Sequence, residues 1–168
     1  PAKNATINSY VFLGSNQVKR LVIPEGVVRL DSQAIGQMSG LKYIKLPSTL
    51  STLNQFSLHV LRSLEVLDMS AVTTCENFSA GTQEYQWLNA SPKIIYLSNT
   101  DMEKAVANRK YNASIAVVNG GTFPEDTDFT TDHLATPTKA NYKFLGWYEN
   151  ADCTGTPATT LKTNQTYY

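Results

Sequence analysis

Between Val18 and Ser70, apolar and polar positions follow one another in the same order three times. Val18-Lys19-Arg20-Leu21-Val22-Ile23-Pro24, Leu41-Lys42-Tyr43-Ile44-Lys45-Leu46-Pro47 and Leu64-Glu65-Val66-Leu67-Asp68-Met69-Ser70 align without a gap, their first apolar residues 23 positions apart. Ahead of each runs a second shared phrase: Val11-Phe12 to Val18, Ala34-Ile35 to Leu41 and Ser57-Leu58 to Leu64, with Ser15, Met38 and Leu61 in one slot. Each unit predicts a short helical or turn segment, a strand, a proline and a loop. Side chains alternate across a strand, so Leu21 and Ile23, Ile44 and Leu46, and Leu67 and Met69 should enter a core. Leu30 and Leu53 add further rungs at the same spacing.

A period in the range of about 20–29 residues with apolar residues at fixed offsets marks a leucine-rich-repeat solenoid. The expected fold class is an α/β, right-handed solenoid with parallel strands, followed by a small β-rich module. Residues 1–17 read as an incomplete first repeat or an N-terminal cap, since terminal repeats shield an open core end. A fourth strand falls at Ile94-Ile95-Tyr96-Leu97-Ser98. The extra length before it, Thr73 to Asn89, carries Phe78, Tyr85 and Trp87 and predicts a longer loop packing its own aromatics. A helix is expected from Asp101, placed as its N-cap, with Met102, Ala105 and Val106 on one face and Arg109 and Lys110 in the last turn. That helix would cap the solenoid, giving a first domain of residues 1–113 and a second of 114–168.

The second domain changes texture. Ile115-Ala116-Val117-Val118 predicts a strand and Asn119-Gly120-Gly121 a turn suited to positive φ. Tyr142-Lys143-Phe144-Leu145-Gly146-Trp147-Tyr148 has the alternation and aromatic content of a strand, and Leu161 to Tyr168 predicts the last one. A module of this size gains from docking on the repeats or on a following copy.

Composition narrows the classes. Apolar residues make up 42% and charged ones 17%, a globular balance. The formal net charge is zero and no basic run exceeds two residues, so nucleic acid is not expected as a partner. No apolar run is long enough for a membrane span. Cys75 and Cys153 are far apart and lack metal-ligand spacing. Glu125, Asp126, Asp128 and Asp132 cluster without the spaced pattern of a calcium loop. His59 and His133 accompany no nucleophile motif, and no cofactor motif is present. Asn-x-Ser/Thr triplets begin at Asn4, Asn77, Asn89, Asn112 and Asn164; they would be chance matches in a bacterial protein and would matter as sugar sites in a eukaryotic one. If Leu21, Ile44, Leu67 and Ile95 point inward, their strand neighbours form the opposite face. Tyr43, Lys45, Val66, Asp68, Ile94 and Tyr96 then make a candidate ligand-binding surface, with Lys45 and Asp68 close enough to pair.

The unit Ala34-Ile35-Gly36-Gln37-Met38-Ser39-Gly40-Leu41 with its strand through Pro47 resembles the BspA-like leucine-rich repeats of bacterial surface proteins. The tail resembles the Listeria–Bacteroides repeat of internalin-type proteins through Asn119-Gly120-Gly121-Thr122, Pro137-Thr138-Lys139, Tyr142 to Tyr148 and Thr166-Tyr167-Tyr168. Asn141 stands where that family usually has Gly, and an Ala-Lys-Trp ending would follow Tyr168. These resemblances imply a β-grasp-like module in an exported, extracellular or surface-bound, non-enzymatic protein. The function they imply is adhesion to a host, extracellular-matrix or bacterial protein through the sheet face, with a glycan as second candidate ligand. The alternative is a spacer holding another domain away from the cell.

Overall fold

The structure is a computed structural model describing residues 3–74, 76, 87–107 and 111–168. Phe78, Tyr85, Cys75, Asn77, Arg109, Lys110 and the side chain of Ala105 lie outside the described part. In chain order the strands are β1 (Ala5–Ile7), β2 (Arg20–Val22), β3 (Val27–Leu30), β4 (Ile35–Gly36), β5 (Tyr43–Lys45) and β6 (Thr52–Leu53). There follow β7 (Leu58–His59), β8 (Val66–Met69), β9 (Leu88–Asn89), β10 (Ile94–Leu97), helix α1 (Thr100–Ala107), β11 (Ser114–Val117) and β12 (Thr166–Tyr167).

These strands form three sheets, ordered β1-β3-β6, β4-β7-β9 and β12-β11-β10-β8-β5-β2. All the pairings between them are parallel. The chain visits the sheets in rotation and returns one period later to the neighbouring strand, as in Leu21↔Ile44↔Leu67 and Ile35↔Leu58. The architecture is therefore mostly parallel sheet with few helices, ending in a small β-rich part. Where the repeat phrase predicts a short helix or turn, the chain forms a third ladder of two-residue strands, and α1 is the one helix among the described residues.

The same spacing governs the backbone and the polar contacts. Left-handed φ values occur at Tyr10, Gln33 and Phe56, and again at Gly14, Gln37 and Val60. Asn54 Nδ2 donates to Asp31 at 2.9 Å, the Ser48 amide to Glu25 at 2.9 Å and the Ser39 amide to Asn16 at 2.8 Å, each across 23 positions. Ile23, Ile44, Leu46, Leu67, Met69, Leu30, Leu53, Met38 and Leu61 fill one continuous core, with Leu21 packed at its edge. Trp87 joins this core, its ring 6.5 Å from Tyr111.

Helix α1 begins two residues earlier than the sequence suggests. Asn99, not Asp101, is the cap: its Oδ1 accepts from the amides of Asp101 and Met102, both at 3.0 Å. Met102 and Val106 reach the core. Asn99→Ala should cost about 1 kcal/mol in urea unfolding, the usual worth of a cap. Asp101→Ala should cost less than half as much; equal losses would remove the cap assignment.

The sheet crosses residues 113 and 114 without a break, because β11 pairs with β10 along its whole length, Ile94↔Ser114 to Leu97↔Val117. In the tail, Asn119 and Gly120 take positive φ and the Gly121 amide closes the turn on Val118 O at 3.0 Å. Tyr142 to Tyr148 forms no strand. Its alternation is real, but among the described residues its backbone bonds are the turn bond from the Tyr142 amide to Lys139 O, the exchange between Tyr148 and Tyr168, and the Ala158 amide to Trp147 O. Positive φ at Asn141 and Gly146 bends both ends of the stretch. A side chain on Gly146 would stand 2.6 Å from Pro157, so the close approach requires glycine there.

Candidate functional site: the covered face of the long sheet

Alternation along β5, β8 and β10 sends one set of side chains into the main core and the other set to the opposite face. Tyr43, Val66, Ile94 and Tyr96 occupy that opposite face. The sequence predicts an open face; instead it is roofed by the chain's own Phe123, Leu134, Ala135, Trp147 and Tyr167, with Phe129 packed beside them. Of the six residues singled out, only Lys45 keeps partial exposure. Asp68 and Tyr96 are 0% exposed.

Aromatic rings make the roof. Phe129 stacks on Tyr43 with centroids 4.7 Å apart and 28° between planes. Phe123 meets Tyr96 edge-on at 4.7 Å, and Phe129 meets both Tyr96 and Phe123 edge-on at 5.6 and 5.3 Å. Such offset and edge contacts suit the ring quadrupole and add to the buried area. The Arg20 guanidinium sits 3.9 Å from the centre of the Tyr43 ring and 5.8 Å from that of Phe129. The backbone of Ala135 is clasped from two sides: its amide donates to Tyr96 Oη at 2.8 Å and its carbonyl accepts from Trp147 Nε1 at 3.3 Å.

One charge lies under this roof. Lys45 is the register partner of Asp68, yet the pair forms no salt bridge, correcting the expected ladder pair. Asp68 Oδ2 instead accepts from Tyr43 Oη at 2.9 Å, and Oδ1 accepts from the Ser70 amide at 3.0 Å and Ser70 Oγ at 2.6 Å. The cross-ladder ion pair is the exposed Lys42–Glu65, at 3.5 Å. Burial raises the Tyr43 phenol above its ordinary range, and the neighbouring Asp68 charge adds to the shift. Burial also pushes Tyr96 up to about 12, opposed by the Ala135 amide and reinforced by Asp68. The arrangement holds neutral phenols against a buried carboxylate. It has the chemistry of a docking interface.

The roof residues are missed by period reasoning, but a signal for them exists. Ile94-Ile95-Tyr96-Leu97 and Ile115-Ala116-Val117-Val118 are unbroken apolar runs, the mark of parallel strands buried on both faces. All four positions of β8, β10 and β11 are buried.

The other candidate groups stand apart. His59 lies edge-on to Phe56 at 5.2 Å, its Nδ1 buried without a hydrogen-bond partner. Asp132 and His133 are exposed and bonded to each other at 2.7 Å, and the Thr130 hydroxyl together with His133 holds the Asp132 carboxyl below its ordinary value. Among the described residues no group of acidic, histidine or cysteine side chains gathers to hold a metal ion. No described helix is long and apolar enough to cross a membrane. Cys153 is a free, exposed thiol.

Residues 106–167 match the Listeria–Bacteroides repeat domain family. The match opens inside α1 and takes in β11, β12 and every roof residue named above. No curated protein and no solved structure matches the chain.

Proposed function

We propose that this chain is a non-enzymatic structural element of an exported bacterial surface protein. In this reading a short, right-handed leucine-rich-repeat solenoid of the BspA-like kind carries a Listeria–Bacteroides repeat fastened over its sheet face. The observation that supports it is the occupancy of that face: Tyr43, Val66, Ile94 and Tyr96 are already packed by residues 123–167 of the same chain, with Asp68 bonded beneath them to Tyr43. A surface buried in this way joins two parts into one stiff unit, which is what a spacer needs. The surface location rests on the resemblance of both parts to repeats of surface proteins.

Adhesion is the second reading, and one observation favours it. At the β2 end of the sheet, Arg20 and Val22 stay exposed, Val22 by 50%, beside the half-buried Lys45. A protein partner, or after it a glycan, would meet the chain there and not over Tyr96. A binding screen against extracellular-matrix proteins, mucins and a glycan array separates the two readings. The spacer reading expects no specific binding. A specific hit that disappears in Val22→Asp, with the melting temperature unchanged, would replace it with adhesion.

A further inference from the structure

The turn that follows β11 sets an unrestrained side-chain amide next to an unbonded backbone amide. Asn119 and Gly120 are its two central residues, at φ values of 49° and 79°, and the Gly121 amide closes it on Val118 O at 3.0 Å. This is the type I′ pattern that Asn-Gly favours. Both central residues are exposed. Among the described residues neither the Gly120 amide nor the Asn119 side chain has a hydrogen-bond partner. Lys139 Nζ holds the backbone instead, donating to Asn119 O at 3.0 Å. Asn119 is the one asparagine of the chain followed by glycine, whose missing Cβ leaves its backbone nitrogen open to close approach. The side chains of Asn16, Asn54, Asn99 and Asn150 are, by contrast, tied down by hydrogen bonds.

We propose that Asn119-Gly120 is a self-modifying site, where the chain converts its own asparagine to isoaspartate and aspartate with water as the only other reactant. The Gly120 nitrogen gives its proton to solvent and attacks Asn119 Cγ. An N–Cγ bond forms, the Cγ–Nδ2 bond breaks, and the amide nitrogen takes up a proton and leaves as ammonia, giving a five-membered succinimide. Water then opens the ring. Opening at Cγ gives aspartate in the ordinary backbone; opening at the main-chain carbonyl routes the backbone through Cγ as isoaspartate. Nucleophile and target lie in adjacent residues, so no encounter is needed. Ring closure requires rotation about the Asn119 Cα–C bond, which gives up the turn bonds from Gly121 and Lys139. Both lie at an exposed tip, where opening is local. The product carries a negative charge beside Lys139. Isoaspartate also adds a carbon to the backbone between β11 and the reciprocal Thr122–Thr138 bonds of 2.8 and 2.7 Å, directly ahead of Phe123 in the roof. The reaction needs no ligand, so it runs in a spacer and in an adhesin alike.

The test ages the 168-residue chain in mildly alkaline buffer and maps its fragments by mass and isoaspartate content. The acetylated, amidated peptide Val-Val-Asn-Gly-Gly-Thr is aged beside it. Asn119 should convert before any other asparagine, mostly to isoaspartate, with ammonia released in equal amount. The two turn bonds should make it roughly ten- to a hundredfold slower than the peptide. Asn119→Asp, which has no side-chain amide to lose, should release no ammonia over the same period. Earlier conversion at another asparagine overturns the proposal, as does aspartate formed without isoaspartate, since direct hydrolysis bypasses the Gly120 nitrogen. An Asn119 that outlasts the peptide by more than roughly a thousandfold also overturns it, by showing that the turn opens only with the larger fold.

Discussion

Replacing Tyr96 with alanine should remove roughly 3–5 kcal/mol of stability, the range for deleting a fully buried aromatic ring. The ring is 0% exposed, lies between Phe123 and Phe129, and its hydroxyl receives the Ala135 amide. Domains have only about 5–15 kcal/mol in all, so the loss would be a large fraction of the total. Trp87 and Trp147, the two tryptophans of the chain, belong to the main core and the covered face respectively. Urea unfolding followed by fluorescence in single-tryptophan versions therefore reads the two cores separately. Because both cores share the six-stranded sheet, the wild type should give one transition at both probes, and Tyr96→Ala should move the Trp147 signal at least as far as the Trp87 signal. A loss under about 1 kcal/mol would mean that residues 123–135 do not hold the sheet face in solution.

High pH should undo the same interface. Tyr96 has an ordinary pKa near 10.0 and is pushed up to about 12 in the fold. The folded state thus favours the neutral phenol. Its contribution is complete below about pH 10 and disappears as the pH rises through 12. At about 1.4 kcal/mol per pH unit this amounts to roughly 2–3 kcal/mol from Tyr96. Tyr43 acts in the same direction, since burial and Asp68 also raise it. Urea midpoints should fall between pH 10 and 12, and phenolate absorbance should show a group of late-titrating tyrosines. Tyr96→Phe should flatten the fall. Stability that stays level across that range would show both phenols to be in contact with water.

How much of this was written in the sequence differs from one element to another. The 23-residue spacing is enough to place Leu21, Ile44 and Leu67 in one ladder, because apolar residues at a fixed period have only one way to share a core. The backbone that makes the period work leaves no such trace. Its left-handed positions fall on Tyr10, Gln33, Phe56, Gln37 and Val60, with glycine at Gly14 alone. The tertiary structure holds these residues in a conformation their own preferences disfavour, so glycine marks only one of the six corners. Tyr142 to Tyr148 fails for the opposite reason: its local pattern is that of a strand, but a strand also needs a neighbour. For the candidate face, alternation correctly separates Tyr43 and Tyr96 from the main core. It cannot say that Phe123, Phe129 and Leu134, distant in sequence, come to lie over them. Only the unbroken apolar runs of β10 and β11 hint that both faces are buried.

Asp68 gives the sheet a means of rejecting wrong pairings. Its carboxylate is satisfied by Tyr43 and Ser70 when Tyr43 stands opposite Val66. Slipping β8 by one residue would turn Asp68 toward the side occupied by Leu67 and Met69, away from the Tyr43 hydroxyl. A buried acceptor left without its donor costs about 1–3 kcal/mol, and more when it is charged. A strand of aliphatic side chains alone could exchange its two faces at smaller cost. The one carboxylate in the ladder therefore acts as a tuning mark: it adds little to stability where it belongs and makes every neighbouring register expensive.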